Sequence, residues 1–168
     1  MRKGIIILLC AFFVLGCAKK GVVKPTSDDS SSAAALAGKS GEEPSARYSD
    51  WEKSPEIETI YFDFDKSDLS EDARNTLKKN AQYMKNNTDL IYIIEGHCDE
   101  RGTVAYNLSL GQRRALTVRK YYGTLGVPMS HVATISYGSE KPALAGSSEE
   151  IWSKNRRAET KMRANSHR

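Results

Sequence analysis

The period of the apolar positions changes several times along the chain, and each change marks an element. Residues 58–62, ETIYF, are β-branched and aromatic and predict a strand. The polar turn DFDKSDL follows. Ser70 then stands as an N-cap, with Glu71 and Asp72 in a first turn whose dipole favours acids. Ala73, Leu77, Ala81 and Met84 recur at helical spacing until Asn86 and Asn87 end the helix. Residues 90–94, LIYII, are apolar on both faces and predict a central strand.

A second helix is predicted over 104–125, where Leu108, Gly111, Ala115, Val118, Tyr122 and Leu125 form one buried stripe. Gly126 stops it and Pro128 lies just beyond. HVATISY, 131–137, reads as a third strand. A loop with Pro142 and Gly146 leads to a short helix over 149–154. RAETKMR, 157–163, alternates as a last, half-exposed strand. The order βαβαβ, short helix, β predicts an α/β fold, an α+β sandwich with helices packed on a four-stranded mixed sheet. Four short strands cannot close a membrane barrel.

The N-terminus follows another rule. Arg2 and Lys3 precede an apolar run, Gly4 to Gly16, which is too short for a hydrocarbon core that needs about 20 residues. A basic start, a short apolar stretch and a small-residue end mark a secretory signal. Its last four residues, VLGC, look like the lipobox of bacterial lipoproteins. That resemblance implies cleavage after residue 16 and acylation of Cys17, whose acyl chains would enter membrane lipid. Ala18 follows, where inner-membrane lipoproteins often carry Asp, so the implied anchor is in the outer membrane, facing the periplasm. Residues 17–54 are rich in Ser, Ala, Gly, Pro and charge without apolar periodicity, and read as a lipidated Cys with a disordered tether. About 36 such residues have a root-mean-square span of roughly 33 Å. Residues 55–168 are then one domain of ordinary size.

Charge and cysteine content change this picture little. Of 25 Lys and Arg, two fall in the leader, which leaves 23 against 21 Asp and Glu. A charge of +2 is no case for nucleic acid. With Cys10 discarded and Cys17 acylated, Cys98 has no intrachain partner and is expected in the interior.

The densest chemistry lies in IEGHCDERGTVAYNLSLGQRRA, residues 94–115. Consecutive His97, Cys98 and Asp99 point in different directions on a strand or tight loop, so one metal ion cannot easily collect them. For the same reason His97 and Cys98 do not make a nucleophile and base. Neither metal, cofactor nor catalytic residue is therefore expected. Asp99 lies just past the central strand, where ligands collect in open α/β sheets. Arg114 and Asn107, seven apart, share one flank of the second helix. Brought together, Asp99 and Arg114 could take the ammonium and carboxylate of a zwitterion. They could equally bridge each other and bind nothing.

The stretch GHCDERGTVAYNLSLGQRRALTV closely resembles the signature of the OmpA-like peptidoglycan-binding domain in its lipoprotein form. IYFDFDKSDLS, Tyr106–Asn107, SYGSEKPA (136–143) and SKNRRAE (153–159) match in the same order. The resemblance covers residues 57–163 and implies non-covalent binding of the peptidoglycan stem through meso-diaminopimelate. It implies that Asp99 holds the diaminopimelate ammonium and that Arg114 takes its carboxylate. Phe64 and Asp65 would supply backbone N–H groups and a wall, Asn107 and Leu110 would line the groove, and Arg157 would lie near its rim. It further implies partnership with periplasmic proteins of the Tol system. The chain departs from the pattern at Trp152, where the family often has a smaller aromatic, and in the basic tail MRANSHR.

Overall fold

The computed structural model describes Ala46 and residues 50–165, so the leader, Cys17 and most of the expected tether lie outside the described residues. Five strands and three helices follow one another: β1 (Glu52–Lys53), β2 (Ile60–Tyr61), α1 (Glu71–Asn86), β3 (Leu90–His97), α2 (Val104–Thr124), β4 (Val132–Gly138), α3 (Glu149–Asn155) and β5 (Arg157–Ala164), with a 3₁₀ turn at Met129–His131. Each α-helix starts at a hydroxyl. Ser70, Thr103 and Ser148 accept from the backbone N–H three residues on, satisfying a donor the helix leaves unpaired.

In the sheet, β3 pairs parallel with β4 on one side and antiparallel with β5 on the other. The free edge of β5 takes both β1, opposite Met162 and Lys161, and β2, opposite Ala158 and Arg157. The four expected positions are therefore present, but five strands fill them. The edge is broken because Pro55 opens a turn closed by the Ile57 N–H on the Ser54 carbonyl. Pairing also begins at Glu52, inside the span read as tether.

The two faces of the sheet differ. Tyr92 and Ile94 of β3, Val132 of β4 and Ala158 of β5 meet Leu77, Ala81 and Met84 of α1 and Ala115, Val118 and Tyr122 of α2 in one buried cluster. Burying each large apolar side chain contributes roughly 1.5–3 kcal/mol. Asn80, fully buried on α1, exchanges two hydrogen bonds with the Glu58 backbone and donates to the Tyr122 hydroxyl, which pins the segment entering β2. At one point α2 rests directly on β3. A Cβ added to Gly96 would lie 1.9 Å from the Gly111 carbonyl oxygen, so both positions need glycine. This contact fixes where the first half of α2 sits over the end of β3.

The expectation of a half-exposed last strand is corrected. β5 runs inside the sheet, and Arg157, Ala158, Glu159 and Thr160 are buried. On the face away from the helices its charges find partners instead of water. Glu159 accepts from Arg157 at 2.6 Å and pairs with Lys53 at 2.7 Å, while Lys161 pairs with Glu95 at 2.8 Å. Alternating charge usually signals a wet face; here it signals a paired one.

Candidate functional site

A cleft opens where β3 ends, between the β2–α1 loop, residues 98–102 and the first half of α2, with Arg156 behind it. Phe64, Asp65, Asp99, Asn107, Leu110 and Arg114 all line it, as do Cys98, Arg101, Gly102, Tyr106 and Arg156. Arg157 does not. It points to the far face and spends all three guanidinium nitrogens, on Glu159, the Asn155 carbonyl and the Lys141 carbonyl. Its neighbour Arg156 lines the cleft instead, buried behind it and not at the rim.

Arg114 is completely buried and forms no ion pair with Asp99. Its Nε donates to the Lys66 carbonyl at 2.8 Å, Nη1 to the His97 carbonyl at 2.8 Å and Nη2 to the Asp63 carbonyl at 3.1 Å. One side chain thus fastens the β2–α1 loop to the end of β3. Burial holds the guanidinium below its usual range, and with Nη1 also donating to the Cys98 sulfur at 3.5 Å, four of the five donors on the rigid fork are used and one Nη2 hydrogen is left. Asn107, also buried, donates to the carbonyls of Asp99 and Arg101 and so fixes the loop that carries them.

Asp99 is itself buried, between two other arginines. Arg101 approaches it with Nε at 3.2 Å and Nη2 at 2.6 Å, and adds its backbone N–H at 3.1 Å. Arg156 reaches the same carboxylate with Nη1 at 3.4 Å, while its Nη2 bonds Glu149 of α3 at 2.6 Å. Burial alone would raise the Asp99 carboxyl, but the Arg101 hydrogen bonds outweigh it and hold the group below the usual carboxylate range. The carboxylate is therefore ionised and already surrounded by donors.

The rim is aromatic and exposed. Asp65 adopts a left-handed backbone, φ 57°, which Asp tolerates better than most residues, and Phe64 beside it stands 57% exposed. The Asp65 carboxylate accepts from the Tyr106 hydroxyl at 2.5 Å, a bond that raises the phenol. Arg101 lies with its guanidinium carbon 4.0 Å from the Phe64 ring centroid and 4.1 Å from that of Trp152 on α3.

Cys98 and His97 diverge as their spacing predicts. Cys98 is 2% exposed under Arg114, and burial pushes its thiol up, so it offers no thiolate. His97 points to the far face, its ring 5.6 Å from that of Tyr137. Among the described residues no group of three His, Cys, Asp or Glu side chains is placed to hold a metal ion, and no helix is long and apolar enough to cross a membrane.

Sequence reasoning gave no place in the site to Arg101, Arg156, Tyr106 or Trp152, although it noted Tyr106 in a matching motif and Trp152 as a departure from the family pattern. Only Arg101 carried a usable signal, since it lies two residues from Asp99 in the same loop. Arg156 and Trp152 come from α3 and its end, more than 50 residues away, and only the fold brings them to the cleft.

The chain is similar to known proteins across this region. The profile described as OmpA family matches residues 61–156. A peptidoglycan-associated lipoprotein of Brucella melitensis is 48% identical over 101 residues, a match that spans 60% of this chain and 60% of that protein. The peptidoglycan-associated lipoprotein of Pseudomonas putida is 35% identical over 153 residues, 86% of this chain and 87% of its own length. The crystal structure of the peptidoglycan-associated lipoprotein from Burkholderia pseudomallei superposes with a TM-score of 0.61 at 40% identity, covering 62% of this chain and 89% of that one. The matched profile takes in the cleft from β2 to Arg156, more than half of the sequence, and the chain belongs to the OmpA family.

Proposed function

We propose that this chain is an outer-membrane lipoprotein, anchored through acylated Cys17 and facing the periplasm, that binds peptidoglycan without cleaving it. Its cleft receives the zwitterionic end of meso-diaminopimelate in the peptide stem. Asp99 takes the ammonium. The remaining Nη2 hydrogen of Arg114 faces the carboxylate, with Phe64, Asp65, Asn107 and Leu110 as walls. The observation that carries this reading is an ionised carboxylate, buried in an open cleft and bonded by two guanidinium groups, with a third, Arg114, in the same lining. A neutral sugar has no use for such a site, whereas a zwitterion fits both signs of charge. The relatives' shared name, peptidoglycan-associated lipoprotein, supports the same ligand and the same kind of anchor.

Calorimetric titration of the full-length chain with a soluble diaminopimelate stem peptide, beside the same peptide carrying lysine, tests it. Lysine lacks the side-chain carboxylate. Saturable binding of the first and little of the second is expected; no binding of either would end the proposal. The proposal extends to the Tol system as protein partner in envelope integrity and cell division. There the stem peptide should displace the Tol periplasmic propeller protein from the chain, and simultaneous binding would remove that extension.

A further inference from the structure

Trp152 does not line the cleft, yet it touches the residue that guards its charge. Its ring lies 4.1 Å from the guanidinium carbon of Arg101, and the Phe64 ring lies 4.0 Å from the same atom. Two rings this close cannot share one face of a planar group, so Arg101 is held between them. The indole is itself fixed: its Nε1–H donates to Glu100 at 3.1 Å, and Ser147 donates to the same Glu100 oxygen at 2.5 Å. With Nε and Nη2 on Asp99, the fork can turn in neither direction, and Nη1 is left without a hydrogen-bond partner among the described residues.

We propose that Trp152, with Phe64, is a positioning residue that sets the cleft's preference for a zwitterion by holding the Nη1 edge of Arg101 toward the ligand's carboxylate. The inference rests on the reading that the cleft binds a stem peptide, and it adds a second guanidinium for the carboxylate beside the one hydrogen that Arg114 has left. An ammonium on Asp99 needs no clip. A carboxylate beside it needs a guanidinium already fixed in plane, because an arginine free to rotate loses several rotamers on binding. Stacking on two aromatic faces provides that order.

The test uses the full-length chain and the two stem peptides, with Trp152→Leu, which keeps apolar volume but no π-face, and Trp152→Phe, which restores one. Trp152→Leu should weaken the diaminopimelate peptide about five- to tenfold and leave the lysine peptide unchanged within about twofold. Trp152→Phe should recover most of the loss. The Arg101 Nε–H resonance, shifted by the two rings, should move toward its free position in the Leu variant and not in the Phe variant. Phe64→Leu, at an exposed position that cannot unfold the domain, should reproduce the selective loss if the Trp152 variant is unstable. An equal loss for both peptides, or an unchanged diaminopimelate affinity with the Arg101 resonance moved, overturns the proposal. A wild-type chain that binds neither peptide while its Arg101 resonance is ring-shifted defeats the stem-peptide reading, and the proposal with it.

Discussion

Two ion pairs in this molecule are built alike and used differently. On the far face of the sheet, Arg157 bonds Glu159, two residues on, at 2.6 Å. In the cleft, Arg101 bonds Asp99, two residues back, at 2.6 Å. In the first pair every guanidinium nitrogen is spent, both side chains are under a tenth exposed, and Lys53 completes the carboxylate. In the second the arginine is about a third exposed, stacks on two rings and keeps Nη1 unspent. A closed pair adds to stability. The open pair, with its carboxylate buried but its arginine about a third in water, adds less and holds charge in place for a partner. Function is therefore sought where hydrogen-bonding capacity is left over, and burial of charge alone does not locate it.

The contrast can be broken most severely at Arg114, which belongs to the cleft by position and to the closed class by bonding. Arg114→Ala empties a fully buried site and removes the hydrogen bonds to the carbonyls of His97, Lys66 and Asp63, the last of which keeps another donor, the Lys66 N–H. It should cost about 3–5 kcal/mol in urea unfolding. A loss under about 1 kcal/mol would show that those carbonyls find other partners. Asp99→Asn should next remove about 2–5 kcal/mol of stem-peptide affinity. Arg156 keeps its bonds to Phe62 and Glu149, so the fold should survive. Normal binding by this variant would take Asp99 out of the site.

Acid tests the closed pair without mutation. Burial alone would raise Glu159, but Lys53 and Arg157 hold it down, from the ordinary 4.5 to about 2. A carboxyl depressed in the folded state stabilises the protein above its unfolded value and loses that contribution as pH falls through the folded one. Up to about 3 kcal/mol should thus disappear between pH 4.5 and 2. Glu159→Gln should flatten that part of the stability–pH curve and leave binding at neutral pH untouched; an unchanged curve would deny the closed pair its role. The smallest effect is expected at Arg101→Gln, which should cost about 1–2 kcal/mol of stability while reducing binding, because the backbone N–H of residue 101 and Arg156 still serve the buried Asp99 carboxylate. A larger stability cost would move Arg101 into the closed class.

The elements were legible because local forces set them. The Ser70 cap and acidic first turn of α1 and the 3.6-residue stripe of α2 identify those helices to within a residue or two, and the run LIYII identifies β3 as central. The first half of β5 was misread because a charge that meets water and a charge that meets a partner look the same in one dimension. Asp99 and Arg114 were found by their place after a strand and on a helix flank, but the choice between bridging each other and facing a ligand could not be made from spacing. Neither description matched their actual partners. Asp99 is bound by Arg101 and Arg156, and Arg114 by three backbone carbonyls.

By itself the sequence determined the order of helices and strands, the residue types at the end of β3 and the contrast between a polar N-terminal stretch and an apolar-patterned domain. These follow from periodicity and capping, which act over a few residues. Only the tertiary structure decided that Arg156 and Trp152 reach the cleft, that Arg157 turns away from it, and that Arg101 is held while Arg114 is buried. Those outcomes depend on how α3 and β5 return to the sheet, and no local preference encodes a contact between residues 50 positions apart.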